Sequence, residues 1–354
     1  MITVTRALQR NTRHKQGSVK FFSVGKEKVR RERWRAMREE GPLAAECKQQ
    51  YDGHTLSAPL NQVASVVEKA RTSGIQIPPF TSSLELTEQD AAQVAASSCS
   101  LRNKQTTKGG SRIFPIGRKI GFTNKNIWAE YNIDAPVWGY MYNETVVEFP
   151  TERANQTRDS FHTSRSKEPK IEPEIVFCMK QTPTPSMSDE ELLSCISWVG
   201  HGYEVVESLY PNWKFTALDT TIAGGLHRAY LLDNSNILNV SNISSRTEFL
   251  SQLQNFEIDL FCNGKLVDKG KGSNVLGSPI KALRHLVELL AKQTLHPQIM
   301  PGEVITTGTL TKALPINDGD VWDTHLRGID LKGYRVRFKL TDSVTPTNQF
   351  SPKI

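Results

Sequence analysis

No apolar run in these 354 residues approaches the roughly 20 needed to cross a bilayer as a helix. The five cysteines, Cys47, Cys99, Cys178, Cys195 and Cys262, are scattered, and no two stand at CxxC spacing. That argues against a zinc site and a disulfide framework and suits a reducing interior. Neither GxxxxGK[ST] nor GxGxxG occurs in a strand–helix setting, so no phosphate loop is expected. The N-terminus lacks the apolar core of a secretory signal, and the expected location is the cytoplasm. Acids are missing from residues 1–25, which hold five Lys/Arg. A mitochondrial presequence is one reading of that stretch, although no clean amphipathic helix emerges. A disordered basic arm is the other. Residues 1–40 carry twelve basic and four acidic residues, leaving 32 and 33 for the rest, so the net charge of +7 belongs to the head. The body is near neutral, and neither a nucleic-acid groove nor a membrane-binding face is expected of it.

What is present divides in two, as an α+β chain. Beyond the basic arm (1–26), residues 27–110 are rich in helix formers. Gly41-Pro42 is expected to break the first stretch into two helices. Thr87 and Asp90 in "LTEQDAAQV" read as a capping box with Asp in place of Glu. From 111 to 345 the character changes. "IFPIGRKIGF", "PVWGYMYNETVVEF", "IEPEIVFCMK", "HGYEVVESLY", "FEIDLFCNGKLVDKG", "EVITTGTLT" and "GYRVRFKLT" are β-branched and aromatic runs punctuated by turns such as "CNGK". "SPIKALRHLVELLAKQ" is the clear helix of this part, with Ile280, Leu283, Leu286, Val287 and Leu290 on one stripe. The polar stretch 151–169 is long for a loop and reads as a lid or insertion. Residues 346–354 read as a tail.

"KIEPEIVFCMK" raises the question of function. In a strand, Glu172 and Glu174 share a face, about 7 Å apart. They repel each other, and burying them unpaired costs free energy. A divalent cation removes both problems, and a solvated edge strand avoids them. A third acid, Glu204 or Glu207, stands in the half-apolar run "GHGYEVVESLY" and would lie on one face or the other. Three carboxylates are hard oxygen ligands of the kind Mg²⁺ or Mn²⁺ prefers.

These segments, with "GRKIGFTN", "NWKFTALDT", "NVLGSPIKALRHLVELL" and "PGEVITTGTLT" in order, resemble the 2-keto-4-pentenoate hydratases. Those enzymes are related to the 4-oxalocrotonate decarboxylases and, more distantly, to the fumarylacetoacetate hydrolases. The resemblance runs from about residue 30 to 340. It implies a fumarylacetoacetase-like mixed β-roll with a small helical N-terminal part, a homo-oligomer, and Mg²⁺ (or Mn²⁺) held by Glu172, Glu174 and Glu204. It places Lys119 at the family's lysine, to balance the substrate's charge or assist proton transfer. Without the resemblance, Lys119 reads as a surface lysine beside a Gly-rich turn. Lys214 and Asp219 look like family positions near the site, for substrate binding and catalysis respectively, or else a structural ion pair. Thr307 and Thr309 offer hydroxyls to substrate, or form a plain turn around Gly308. His201 reads as packing.

The implied activity is that of a lyase. It hydrates or dehydrates 2-oxo-4-enoic acids, or their 2-hydroxy-dienoate enols, through an enolate stabilised by the cation. Decarboxylation, C–C hydrolysis and keto–enol tautomerisation use the same enolate, although hydrolysis calls for a His–acid pair that is not evident. A non-catalytic binding relative is the alternative of another class. Two departures stand out. The better-known hydratases carry an acid where Val137 stands, and an Asn-Ala-Ser element where this chain reads "TIAGGLHRAYLL". His227 is the candidate to supply the missing acid–base function, or is a surface histidine at a strand start.

Overall fold

The computed structural model describes residues 28–36, 38–51, 57–107, 109–131, 133–149, 160–164 and 167–341. The expected presequence or arm, most of the expected lid and the C-terminal tail lie outside the described residues. The chain divides into two compact units, Met1–Glu39 and Glu40–Ile354. The described part of the first is a helix, α1, over 28–36, ending before Gly41-Pro42.

The second unit opens with helices α2 (Pro42–Tyr51), α3 (Ala58–Ser73) and α4 (Glu88–Asn103). The capping box at α4 is as expected. Thr87 Oγ1 accepts from Asp90 N at 3.1 Å, and Asp90 Oδ2 accepts from Thr87 N at 2.9 Å. Strands follow: β1 (Pro115–Gly121), then the short helix α5 (Trp128–Tyr131), β2 (Val137–Tyr142), β3 (Val146–Glu148), β4 (Phe161–Ser164) and β5 (Lys170–Met179). After helix α6 (Asp189–Ser194) come β6 (Ile196–Val206), helix α7 (Ala217–Ile222), β7 (His227–Asn239) and helix α8 (Arg246–Asn255). The chain ends with β8 (Glu257–Cys262), β9 (Lys265–Lys271), helix α9 (Pro279–Lys292), β10 (Val304–Thr306), β11 (Leu314–Pro315), β12 (Val321–Arg327) and β13 (Arg335–Thr341).

Two mixed sheets result. One has the order β2-β1-β10-β5-β6-β7-β3, with β11 also pairing β5, and the other runs β4-β13-β12-β8-β9. Asn263 and Gly264, both at positive φ, close the β8–β9 hairpin as the "NG" dipeptide foretells. Tyr203, Leu231, Trp322, Val336 and Phe338 fill the core between the sheets, and the stripe of α9 (Ile280, Leu283, Leu286, Val287, Leu290) packs a second core. This is the fumarylacetoacetase-like fold that the resemblance implied. Helices α5, α6, α7 and α8 were not anticipated.

The position of β5 decides the question raised by its glutamates. It is a central strand, paired by β10 on one side and β6 on the other, so the edge-strand reading fails. Its antiparallel register with β6 sets Glu172 opposite Glu204 and Glu174 opposite Gly202. Two strands thus carry three acids to one patch.

Candidate metal centre

One oxygen from each of Glu172, Glu174 and Glu204 can be chosen so that all three lie within 4.8 Å of one another. Glu174 and Glu204 are fully buried, and Glu172 is half-buried. Glu174 is held by Gly308, whose N–H donates to Oε2 at 2.9 Å; its Oε1 is buried with no hydrogen-bond partner. Only glycine fits at 308. Its φ is +95°, and a Cβ there would stand 1.8 Å from Thr123 Oγ1.

Lys119 projects from β1 to within 3.1 Å of Glu204 Oε2 and is 2% exposed. Its strand neighbour Arg118 takes the opposite face and pairs with buried Glu303 at 3.0 Å. Burial works to lower the Lys119 pKa, but the three carboxylates outweigh it and hold the ammonium above its ordinary range, so it is protonated. Burial raises Glu172 to about 7, with Lys119 opposing and Glu204 adding to the rise. Glu174 is pushed well above the carboxylate range by burial and then by its two acidic neighbours. Burial would raise Glu204 too, but Lys119 and His227 overcome it and hold its carboxyl low.

Ionised together, three carboxylates against one ammonium would leave an uncompensated negative charge in a buried patch, which is why the Glu172 and Glu174 carboxyls are pushed towards the protonated form. A buried acceptor with no donor adds to that cost. Hard oxygen donors, acids that suppress one another's ionisation and an orphaned Glu174 Oε1 fit a divalent cation.

His227 sits beside this cluster with both ring nitrogens engaged. Nδ1 lies 2.7 Å from Glu204 Oε1 and Nε2 lies 2.9 Å from Thr145 Oγ1. The ring is 2% exposed. Burial lowers its pKa, and the Glu204 contacts oppose that shift. A neutral imidazole whose Nδ1–H donates to Glu204 accepts at Nε2, and the Thr145 hydroxyl, 2.9 Å from Nε2 and 3.1 Å from the Tyr142 carbonyl, has one proton to share between those two acceptors. No nitrogen is left to meet a substrate, so the expected acid–base role does not match its place. Its position is that of a group orienting the Glu204 carboxylate.

A cavity of about 260 Å³ adjoins the cluster, with Lys119 and Glu172 in its wall beside Phe122, Trp213, Leu226 and Lys312. Phe122, Trp213 and Leu226 all have positive φ, of 57°, 56° and 64°. Such backbone is strained for bulky residues and collects at functional sites. Nothing in the sequence marks it.

The remaining candidates fall elsewhere. Asp219 is fully buried, but both its oxygens are taken: Thr81 N and Oγ1 donate to it at 3.2 and 2.6 Å, and Thr216 N and Oγ1 at 3.0 and 2.9 Å. It closes the capping box of α7 and does not line the cavity. Lys214 is exposed and also absent from the cavity wall. The Thr307 and Thr309 hydroxyls donate to the carbonyls of Ile175 and Thr311 at 3.1 and 3.0 Å. What this turn offers the site is the Gly308 N–H. His201 is packing, as expected: Nδ1 meets the Glu174 carbonyl at 2.9 Å and Nε2 the Thr324 hydroxyl at 2.8 Å. Val137 lines a different cavity, of about 190 Å³, walled by α3, α4 and β2. Thr145 and Gly308 N–H are functional groups that the sequence reading missed; only the glycine in "TTGTL" carried a signal.

Residues 123–336 match the family model described as fumarylacetoacetate (FAA) hydrolase C-terminal. A 4-oxalocrotonate decarboxylase of Pseudomonas sp. (strain CF600) is 26% identical over 75% of this chain and 92% of its own. A 2-keto-4-pentenoate hydratase of Paraburkholderia xenovorans (strain LB400) is 24% identical over 76% and 91%. The solved 4-oxalocrotonate decarboxylase of Pseudomonas putida G7, complexed with magnesium and adipate, aligns with a TM-score of 0.66 at 23% identity. That alignment covers 82% of this chain and 100% of the other. With the family model matching more than half of its length, the chain belongs to the fumarylacetoacetate hydrolase family.

Proposed function

We propose that this chain is a metal-dependent lyase, a hydratase acting on 2-oxo-4-enoic acids or their 2-hydroxy-dienoate enols. The observation that carries the reading is the convergence of Glu172, Glu174 and Glu204 beside Lys119 at the wall of a cavity. The three glutamates would hold Mg²⁺ or Mn²⁺. The bound ion supplies a doubly charged centre that stabilises negative charge developing on a 2-oxo oxygen. Gly308 N–H and His227 fix the orientation of Glu174 and Glu204. Lys119, kept protonated by the acids, supplies the positive charge that an anionic substrate needs and holds a transferable proton at Nζ. Phe122, Trp213 and Leu226 form an apolar wall that keeps bulk water from the substrate carbon chain.

Decarboxylation is the second reading. It is supported by the 26% identical relative named as a 4-oxalocrotonate decarboxylase, beside the 24% identical hydratase. The test is an ultraviolet assay of 2-hydroxy-dienoates and 2-oxo-3-enedioates with and without Mg²⁺, with products identified. Loss of dienol absorbance with water added supports the hydratase, and release of CO₂ supports the decarboxylase. Turnover unaffected by Glu174→Ala, or no Mg²⁺-dependent turnover of any substrate, contradicts the proposal.

A further inference from the structure

We infer that Arg71, in the helical N-terminal part and outside the wall of the cavity beside the glutamates, is a positioning residue for the metal centre. It clasps the turn that delivers His227 and backs Lys119. This rests on the metal reading above.

The segment from Ala223 to His227 connects α7 to β7 through three successive left-handed residues: Gly224 at φ 62°, Gly225 at 70° and Leu226 at 64°. The turn closes on itself through Leu226 N, which donates to the Ala223 carbonyl at 3.3 Å, and the Leu226 carbonyl accepts from Glu207 N at 3.0 Å. Arg71 adds a tie between its two ends. Nη2 donates to the Ala223 carbonyl at 3.0 Å and Nη1 to the His227 carbonyl at 3.1 Å, so one planar guanidinium spans the turn. The fork fixes the separation of the two carbonyls, which a lysine with a single point of contact cannot do. Glu68, one helical turn back on α3, lies 3.6 Å from Arg71 Nε, and both side chains are at most 10% exposed. Gly224 accommodates the clasp: a Cβ there would stand 3.3 Å from Arg71 Nη2.

The other side of the turn is the active-site wall. Gly225 packs so closely on Lys119 that a Cβ would come within 2.9 Å of its Cδ, and Gly225 and Leu226 both line the cavity. His227 ends the turn and meets Glu204 at 2.7 Å. Releasing the clasp therefore frees two things together: the imidazole that orients one ligand carboxylate, and the backbone that presses on Lys119. Lys119 and Glu204 are themselves 3.1 Å apart, so both disturbances reach the same acid.

The experiment measures Mn²⁺ binding by the full chain, by calorimetry and by the electron paramagnetic resonance spectrum of the bound ion. Wild type is compared with Arg71→Ala, Arg71→Lys and Glu174→Ala, with thermal unfolding of each as a control. Arg71→Ala is expected to weaken binding about tenfold, at the lower end of losses seen for groups that orient metal ligands, and to alter the spectrum. Arg71→Lys, which can keep one carbonyl, is expected to fall between. Millimolar guanidinium is expected to restore Arg71→Ala towards wild type. If Glu174→Ala binds as wild type does, the metal reading itself falls. If Glu174→Ala loses the ion while Arg71→Ala and Arg71→Lys keep wild-type affinity and spectrum, the metal centre stands and the positioning role is overturned, even where their melting temperatures drop. Should Arg71→Ala not fold, Arg71→Lys decides alone, and wild-type affinity and spectrum there overturn the role.

Discussion

Replacing Glu174 by glutamine is expected to stabilise the metal-free protein at pH 7.5 and to remove the stabilisation that a divalent ion brings. The substitution keeps an oxygen to accept the Gly308 N–H and removes one of three clustered acids. The sign follows from proton linkage. Glu172 has an ordinary pKa of 4.5 raised to about 7, and Glu174 moves in the same direction. Between pH 4.5 and 7 the folded state holds more protons than the unfolded one, so stability falls as pH rises through that window. At about 1.4 kcal/mol per pH unit, a rise of this size on one buried carboxyl is worth on the order of 3 kcal/mol. Glu204 runs the other way: its contribution is present above its unfolded pKa and is lost as pH falls through its lower folded value. Glu303, also raised to about 7, shifts both proteins equally and cancels in their difference.

The assay is urea unfolding in EDTA at pH 5 and 7.5, repeated with excess Mn²⁺. Glu174→Gln should be more stable than wild type at pH 7.5, by a smaller margin at pH 5. With Mn²⁺ at 100 times its dissociation constant, wild type should gain about 2.7 kcal/mol and the variant little. Equal stability in EDTA at pH 7.5, or an equal gain from Mn²⁺, would refute the reasoning.

Four other substitutions separate the roles assigned above. His227→Ala should lower divalent-ion affinity by about 10–100-fold, as loss of a ligand-orienting partner does, read by calorimetry. Lys119→Met, which removes a positive charge beside the acids, should bind Mn²⁺ at least as tightly as wild type and show no turnover; loss of binding would contradict its assignment to the substrate. Gly308→Ala should destabilise the chain by at least about 1–3 kcal/mol for backbone strain, before the Thr123 clash is counted, and should weaken Mn²⁺ binding as well; melting and titration check both. Asp219→Ala strips an acceptor from two backbone and two hydroxyl donors and should cost about 2–4 kcal/mol, with Mn²⁺ affinity per folded molecule unchanged.

The parts of the site legible in the sequence were those set by local periodicity. Glu172 and Glu174 share a face because strand side chains alternate, and that held whatever the strand's neighbours were. Whether β5 was central or at an edge was not legible, because its position depends on β10, more than a hundred residues away. The choice between Glu204 and Glu207 turned on where β6 ends: Glu204 is within the strand opposite Glu172, and Glu207 lies beyond it. The fold came from seven segments in family order, helical and β-rich alike, which no single stretch would have supported. Asp219 is the instructive miss. "TALD" at 216–219 has the same T-x-x-D spacing as "TEQD" at 87–90, which was read as a cap, so the signal was there. The Thr145–His227 bond and the Arg71 clasp join residues 82 and 156 positions apart. Only the folded chain reveals such pairs.

The most direct test of the metal centre is a crystal structure of the full chain grown with Mn²⁺, with anomalous differences recorded near the manganese edge. A single strong peak bounded by Glu172, Glu174 and Glu204, with Lys119 beside it, is the expected result. No peak there, with the three carboxylates turned apart or the Lys119 ammonium filling the space between them, would contradict the account.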